Sequence, residues 1–230
     1  MPIAIVKFLQ NCLMKKQFDW TSYIKSIESF PSFKRIRELD YRAIIGLYIK
    51  KLDSVLEVGC SNARWPKWLA KTFGGAAFGL DNNPVCKKYI RNFKLGDVRN
   101  LPYKNNSFSC TFSLGLIEHF KHNEAFKIIS EKKRVTKKNG IIITIIPNLD
   151  YSIKLLTTKL IIDPFQGYKH FIYKKKDLEE IYKKNYIPIL FSGYCGLIFD
   201  NYLPFLKRIY SKIPRNKILS DSIIIIGKKL

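Results

Sequence analysis

The sequence predicts an α/β fold in which seven strands form a mostly parallel, doubly wound sheet with helices on both faces. Three observations predict it. Short apolar runs alternate with helix-spaced segments from Ser54 to Ile146. One of these runs, Ile141–Ile146, is apolar at every position except Thr144, as expected for a strand covered on both faces. The chain of 230 residues, 47% of them hydrophobic, is long enough to bury one full core.

Each predicted element has its own signal in the sequence. Seven runs have the length and composition of strands: Ser54–Val58, Ala76–Leu80, Phe93–Leu95, Phe108–Leu114, Ile141–Ile146, Ile187–Phe191 and Ser222–Ile226. Helical periodicity predicts helices over Ile36–Lys50, from a start between Asn62 and Pro66 to Phe73, and over Pro84–Arg91, Glu124–Lys137 and Asp177–Lys183. We expect Asn139-Gly140 to close the fourth of these helices.

The charge balance is strongly basic. The chain has 41 Lys and Arg against 18 Asp and Glu, which gives a formal net charge of +23. Such a charge favours anionic partners: phosphates, acidic metabolites, nucleic acid or anionic lipid. An A/T-rich genome, which supplies many Lys, Ile, Asn, Tyr and Phe codons, explains the same composition, so both explanations stay open.

The cysteines and the hydropathy pattern predict a cytoplasmic protein. The five cysteines are scattered, without the close spacing of a zinc or redox motif, so we expect reduced thiols. No apolar run is long enough to span a bilayer, and the first 13 residues lack the pattern of a signal peptide. Peripheral contact with a membrane remains compatible with the basic charge.

Acidic and small residues stand where the predicted strands end. Glu57 and Gly59 follow the first strand, Asp81 ends the second, Asp97 follows the third and Ser113 lies at the end of the fourth. The carboxyl ends of parallel strands meet at one edge of a sheet, where ligands bind in this fold class. Gly59 allows a ligand to approach the backbone, and Asp81 can accept two ribose hydroxyls.

Each of these residues also has a purely structural explanation. Gly59 could serve a tight turn, Asp81 could cap the helix opened by Asn82-Asn83-Pro84, and Asp97 could cap a loop. Their occurrence at consecutive strand ends favours a ligand site instead. Gly59 is not followed by the second and third glycine of a pyrophosphate-binding turn, which argues against a dinucleotide and for a cofactor without phosphates.

Several motifs in chain order resemble those of class I S-adenosylmethionine-dependent methyltransferases, a family with a Rossmann-like fold, and in particular its small-molecule group. The resembling segments are Val55–Cys60, Gly79–Asp81, Gly96–Val98 with Leu101–Tyr103, Asn106–His119 and Arg134–Asn148. Ser61, Ala63 and Asn139 stand where the family often has glycine, and Lys138 stands where it often has proline. Serine and alanine are small and asparagine tolerates a left-handed backbone, so we expect the turns to survive.

The resemblance implies that S-adenosylmethionine is the cofactor, with the acid at Asp81 holding its ribose and the acid at Asp97 its adenine amine. The implied cofactor-binding residues are Glu57, Gly59, Cys60, Ser61, Asp81, Asn82, Asp97, Val98, Ser113 and Leu114. His119 is a candidate general base, or else a helix cap, and His170 a candidate residue of the acceptor pocket, or else a packed loop residue. His119 and His122 have no evident third ligand, so we predict no metal site.

These implications predict an enzyme that transfers a methyl group to a small, anionic or amphipathic acceptor, such as a lipid, a quinone precursor or a sugar-containing metabolite. The alternatives are an RNA methyltransferase and a non-catalytic basic module that binds a membrane or a partner. We expect a single domain over 1–230. It has an N-terminal helical lid (1–50), a cofactor-binding core (51–148) and an acceptor-side region (149–230) with an insertion before the last strand.

Overall fold

The computed structural model describes residues 36–148, 171–196 and 220–230, together with Thr21 and Lys217. The described α-helices are α1 (Ile36–Tyr48), α2 (Arg64–Phe73), α3 (His122–Val135) and α4 (Lys175–Lys184), with 3₁₀ helices at Pro84–Tyr89 and Ile117–His119. The strands are β1 (Ser54–Val58), β2 (Ala76–Asp81), β3 (Asn92–Leu95), β4 (Phe108–Leu114), β5 (Thr136–Pro147), β6 (Ile189–Cys195) and β7 (Ser222–Lys228). Most of the predicted N-terminal lid, the predicted insertion at 197–215 and His170 lie outside the described residues.

The seven strands form one sheet in the order β3-β2-β1-β4-β5-β7-β6. Neighbours from β3 to β5 pair in parallel, whereas β7 pairs antiparallel with both β5 and β6. The predicted mostly parallel sheet of seven strands is confirmed. After β1 the chain builds the sheet outward to one side through β2 and β3, and then returns to add β4 on the other side. The carboxyl ends of β1 and β4 therefore form the point where strand order reverses, which is where ligands bind in open α/β sheets.

Both faces of the sheet are covered by apolar layers. Leu56 of β1 faces the layer that contains Ile128 and Ile129 of α3, whereas its neighbour Val55 faces the layer that contains Leu69 of α2. All five side chains are fully buried. This two-sided burial explains why β5 has a nearly continuous apolar run instead of strict alternation.

Two predicted elements differ from the structure. The helix α3 ends at Val135 and β5 begins directly at Thr136, so Asn139-Gly140 lies inside a strand and closes no helix. The predicted helix at Pro84–Arg91 is a 3₁₀ helix that ends at Tyr89, because the chain becomes extended at the next residue to enter β3. In the part of the chain that the structure describes, no helix is both long and apolar enough to cross a bilayer.

Gly46 in the middle of α1 offers a simple test of this helix. It is exposed, and a Cβ placed on it would have no atom within 4 Å. Glycine inside a helix is about 1 kcal/mol less favourable than alanine. We therefore expect Gly46→Ala to raise the free energy of unfolding by about 0.5–1 kcal/mol in urea denaturation.

Gly75 is the matched control for that substitution. A Cβ there would lie 2.5 Å from the backbone carbon of Asp53, and the residue has φ +88, so Gly75→Ala should lower stability. A loss of stability in the Gly46 variant would contradict the exposed helical position assigned to it.

Candidate cofactor site

The turn after β1 brings bare backbone to the carboxyl edge of the sheet. Gly59 has φ +72, and a Cβ placed on it would lie 2.9 Å from Cδ1 of Leu116. The N–H groups of Gly59 and Cys60 both donate to the carbonyl oxygen of Leu80, at 2.8 and 3.0 Å, and so fasten this turn to the end of β2. Glycine is thus required here both for its backbone conformation and for its lack of a side chain.

Asp81 holds two turns together with its carboxylate. Its Oδ2 accepts from the N–H of Ser61 at 3.0 Å, and its Oδ1 accepts from the N–H of Asn83 at 3.0 Å. The cap of the following 3₁₀ helix is Asn83, whose side chain accepts from the N–H of Val85, so Asp81 is not that cap. Each carboxylate oxygen can accept two hydrogen bonds, so each retains acceptor capacity for a ligand hydroxyl.

The rest of the β1–α2 turn has a left-handed backbone at two residues that are not glycine. Ser61 has φ 46 and Ala63 has φ 51. These are the positions at which the sequence departs from the glycines of the resembling family. The backbone conformation survives that departure, at a conformational cost of about 1–2 kcal/mol per residue.

Glu57 is a buried acid at the end of β1. Its side chain is 4% exposed, and its Oε2 atom has no hydrogen-bond partner in the described part of the chain. Burial and the nearby carboxylate of Asp81 raise the pKa of Glu57 well above its ordinary value. A buried acceptor without a partner is a group that a bound donor would satisfy.

Asp97 is exposed and is engaged by a neighbour. The guanidinium of Arg99 donates from Nε to Oδ1 at 3.0 Å and from Nη2 to Oδ2 at 2.8 Å, and Arg99 also pairs with Glu124. These bonds to Arg99 hold the pKa of Asp97 below its usual value. A ligand amine would have to replace part of this pairing to reach Asp97. The sequence reasoning missed Arg99, whose only signal was its place two residues after Asp97.

The other predicted cofactor residues divide by burial. The hydroxyl of Ser113 is buried and accepts from Lys132 Nζ at 2.8 Å, and Val98 lies in the apolar core. These two side chains face the protein interior, which leaves their backbone as the group that a ligand could contact. Leu114 is half-buried and Asn82 is exposed, so both are accessible.

His119 lies in the 3₁₀ helix that follows β4. Its side chain is 9% exposed, and its Nε2 atom is 4.0 Å from Oε1 of the buried Glu118. Leu116, three residues earlier, is the side chain that meets the missing Cβ of Gly59. The segment that contains His119 therefore borders the Gly59 turn.

Lys132 is a buried lysine that the sequence reasoning missed. Its Nζ atom donates to Ser113 Oγ at 2.8 Å, to the Ile143 carbonyl at 2.7 Å and to Thr144 Oγ1 at 3.0 Å. The side chain is fully buried, and this burial lowers its pKa to about 7. The sequence signal that could have revealed its burial is its spacing of four residues from Ile128, which places Lys132 on the buried face of α3.

The central part of the chain is similar to known proteins. Residues 56–144 match the model of a family described as a methyltransferase domain. An uncharacterized protein of Methanocaldococcus jannaschii is 26% identical over 142 residues, which cover 59% of each chain. The chloroplastic tocopherol O-methyltransferase of Arabidopsis thaliana is 26% identical over 108 residues, which are 42% of this chain and 30% of that protein. The chain thus spans less than two thirds of the length of these curated relatives.

Solved structures share the fold over most of the chain. A protein of Pyrococcus horikoshii has a TM-score of 0.65 at 19% identity and covers 93% of this chain and 100% of its own. A chain in the complex of the Haloferax volcanii Trm112 methyltransferase activator with a methyltransferase has a TM-score of 0.64 at 13% identity. The match covers 92% of this chain and 98% of that chain. At these identities the likeness shows the fold alone.

The matched segment and the sheet topology together define a class I, S-adenosylmethionine-dependent methyltransferase domain. The family match itself covers residues 56–144, which run from β1 into β5. The class, the fold and the cofactor predicted from the sequence are confirmed at the level of this domain.

Proposed function

We propose that this chain binds S-adenosylmethionine at the carboxyl edge of β1 and β2 and transfers its methyl group to a small-molecule acceptor. The observation that carries the proposal is the convergence of three features at adjacent strand ends. They are the bare turn at Gly59, the remaining acceptor capacity of Asp81 and the unsatisfied buried oxygen of Glu57. Together they provide hydrogen-bond acceptors and open backbone, as a nucleoside with a cationic side chain requires.

The residues present fit this cofactor. Asp81 would accept the ribose hydroxyls, Glu57 would accept from a cationic or hydroxyl donor, and Asp97 with Arg99 would border the base. The proposed binding set is Glu57, Gly59, Cys60, Ser61, Asp81, Asn82, Asp97, Val98, Ser113 and Leu114. When bound, S-adenosylmethionine supplies an electrophilic methyl carbon on a sulfonium.

The protein's contribution to the transfer is mainly alignment and exclusion of water, and alignment can lower a barrier by roughly 7–11 kcal/mol. For a hydroxyl acceptor we assign His119 as the general base that takes the proton, a role that requires its neutral form. Glu118, which lies 4.0 Å away, would stabilise the imidazolium that forms. His170, outside the described residues, is proposed to line the acceptor pocket.

The proposal also assigns a role to each of three segments of the chain. Residues 1–50 serve as a lid, 51–148 as the cofactor-binding core and 149–230 as the acceptor side of one domain. The Arabidopsis relative is named for transfer to tocopherol, which supports an apolar or amphipathic small molecule as acceptor. The net charge of +23 supports an anionic group on it, or contact with an anionic membrane surface from a cytoplasmic location.

The same charge favours nucleic acid as a second candidate acceptor. A protein that neutralises several phosphates loses RNA affinity steeply as salt increases, because counterions released on binding must be recaptured. The Trm112 complex among the structural neighbours adds a protein activator as a candidate partner under either acceptor.

Labelling identifies the acceptor class directly. The full chain is incubated with S-adenosylmethionine carrying a labelled methyl group and with separate metabolite, lipid and RNA fractions from the organism that encodes it. We expect label in the metabolite or lipid fraction. Label in the RNA fraction would favour the second candidate. Cofactor binding without transfer to any fraction would contradict both candidates and favour a non-catalytic module.

A further inference from the structure

Two cysteines that are distant in sequence meet beside Asp81. Cys60 lies in the turn after β1, and Cys86 lies in the 3₁₀ helix after β2. Both are buried, with 1% and 0% of their surface exposed. The two Sγ atoms and one carboxylate oxygen of Asp81 all lie within 4.8 Å of one another.

The surrounding backbone is arranged around this cluster. A Cβ on Gly79 would lie 2.7 Å from the sulfur of Cys60, so glycine at this position leaves the space that the sulfur occupies. The N–H groups of Ser61 and Asn83 fix the orientation of the Asp81 carboxylate. Hydrogen bonds of this kind are what orients the ligands of a metal ion in proteins.

We propose that Cys60, Cys86 and Asp81 form a binding site for a thiophilic divalent cation, of which Zn²⁺ fits best. Zn²⁺ combines thiolate and carboxylate ligands, and sites with three protein ligands leave the fourth position open. Thiolates are soft ligands and bind Mg²⁺ and Ca²⁺ poorly, because these hard cations prefer oxygen ligands. On binding, each thiol gives up its proton to solvent, so two protons leave as the ion enters with two thiolates and one carboxylate.

The site has a consequence that rests on the proposed function. The acceptor capacity that Asp81 retains would be used either by the ribose hydroxyls of S-adenosylmethionine or by the cation. The two ligands would therefore exclude one another, and the cation would act as an inhibitor of cofactor binding.

Cadmium reports on the cation site through thiolate absorption. The reduced full chain is titrated with Cd²⁺, and the ultraviolet charge-transfer band of Cd²⁺–thiolate bonds is followed. We expect saturation at one equivalent, competition by Zn²⁺, and at least a tenfold loss of affinity in Cys60→Ser and in Cys86→Ser. The matched control is Cys110→Ser, a buried cysteine in a different part of the core, which should bind like the wild type.

The outcomes separate the site from its consequence. A wild type without the band, or a double variant at positions 60 and 86 that keeps it, overturns the metal site. Thermal melting of each variant shows whether it is folded. Calorimetry with S-adenosylmethionine, with and without one equivalent of Zn²⁺, tests exclusion, and equal affinities overturn it. Failure of the metal-free protein to bind the cofactor contradicts the proposed function and leaves the cadmium result unaffected.

Discussion

Asp81→Ala is expected to weaken the binding of S-adenosylmethionine by roughly 100-fold. A hydrogen bond to a charged acceptor contributes about 1.5–3 kcal/mol, and Asp81 retains capacity for two such bonds, so a loss of about 3 kcal/mol is a conservative expectation. Isothermal titration calorimetry of the full chain measures the change in Kd. Binding without any change in Kd would contradict the role of Asp81 in holding the ribose.

The prediction needs a control because Asp81 also supports the fold. Its oxygens accept the backbone N–H groups of Ser61 and Asn83, so alanine leaves two turns without their acceptor. Asp53→Ala is the matched control, since Asp53 is an exposed carboxylate at the other end of β1, where it pairs with Lys137. We expect this control to leave the cofactor Kd unchanged. A thermal melt of both variants separates lost binding from lost structure.

The strands were predictable because their signal is local. A nearly continuous apolar run identifies β5, shorter apolar stretches identify β1 and β4, and burial on both faces is the physical cause of this composition. The boundary between α3 and β5 was not predictable in this way. Lysines favour a helix, so the pattern extended the helix to 137. In the structure the Thr136 hydroxyl bonds to the Lys132 carbonyl and to Thr111, and these tertiary contacts fix the point where the strand begins.

The candidate site was likewise predictable only in part. Gly59 and Asp81 were predictable because each stands directly at a strand end, and the topology brings strand ends together. The pairing of Arg99 with Asp97 and the contact between Cys60 and Cys86 were not predictable from the sequence. Both depend on how side chains from loops settle against each other, and sequence spacing contains no information about that. The predicted roles of His119 and His170 stay predictions.

Lys132 and Asp81 illustrate opposite ways of burying a charge near this edge. Asp81 is half-buried, and two backbone N–H groups donate to its carboxylate. Lys132 is fully buried and bonds to three neutral oxygens, which compensate only part of the solvation that it loses. Through Ser113 and Thr144, the lysine ties α3 to β4 and β5. We therefore expect the protonation state of Lys132 to contribute to the stability of the central sheet.

This contribution predicts a pH dependence of stability that Lys132→Met removes. Burial lowers the pKa of Lys132 to about 7, from 10.5. Between these values the unfolded chain binds more protons than the folded chain, so the free energy of unfolding rises with pH. From pH 7 to 9.5 we expect the wild type to gain about 3 kcal/mol relative to Lys132→Met, because each unit corresponds to about 1.4 kcal/mol.

Urea denaturation of both proteins across that range measures the difference. At pH 9.5 the variant should be less stable, since Ser113, Thr144 and the Ile143 carbonyl lose their donor, and the gap should narrow toward pH 7. Burial raises the pKa of Cys110 to about 12, which opposes the trend at high pH in both proteins, so only their difference is diagnostic. Lys67→Met, on the exposed side of α2, should follow the wild type. Parallel curves for Lys132→Met and the wild type would show that the buried lysine keeps its ordinary pKa in the fold.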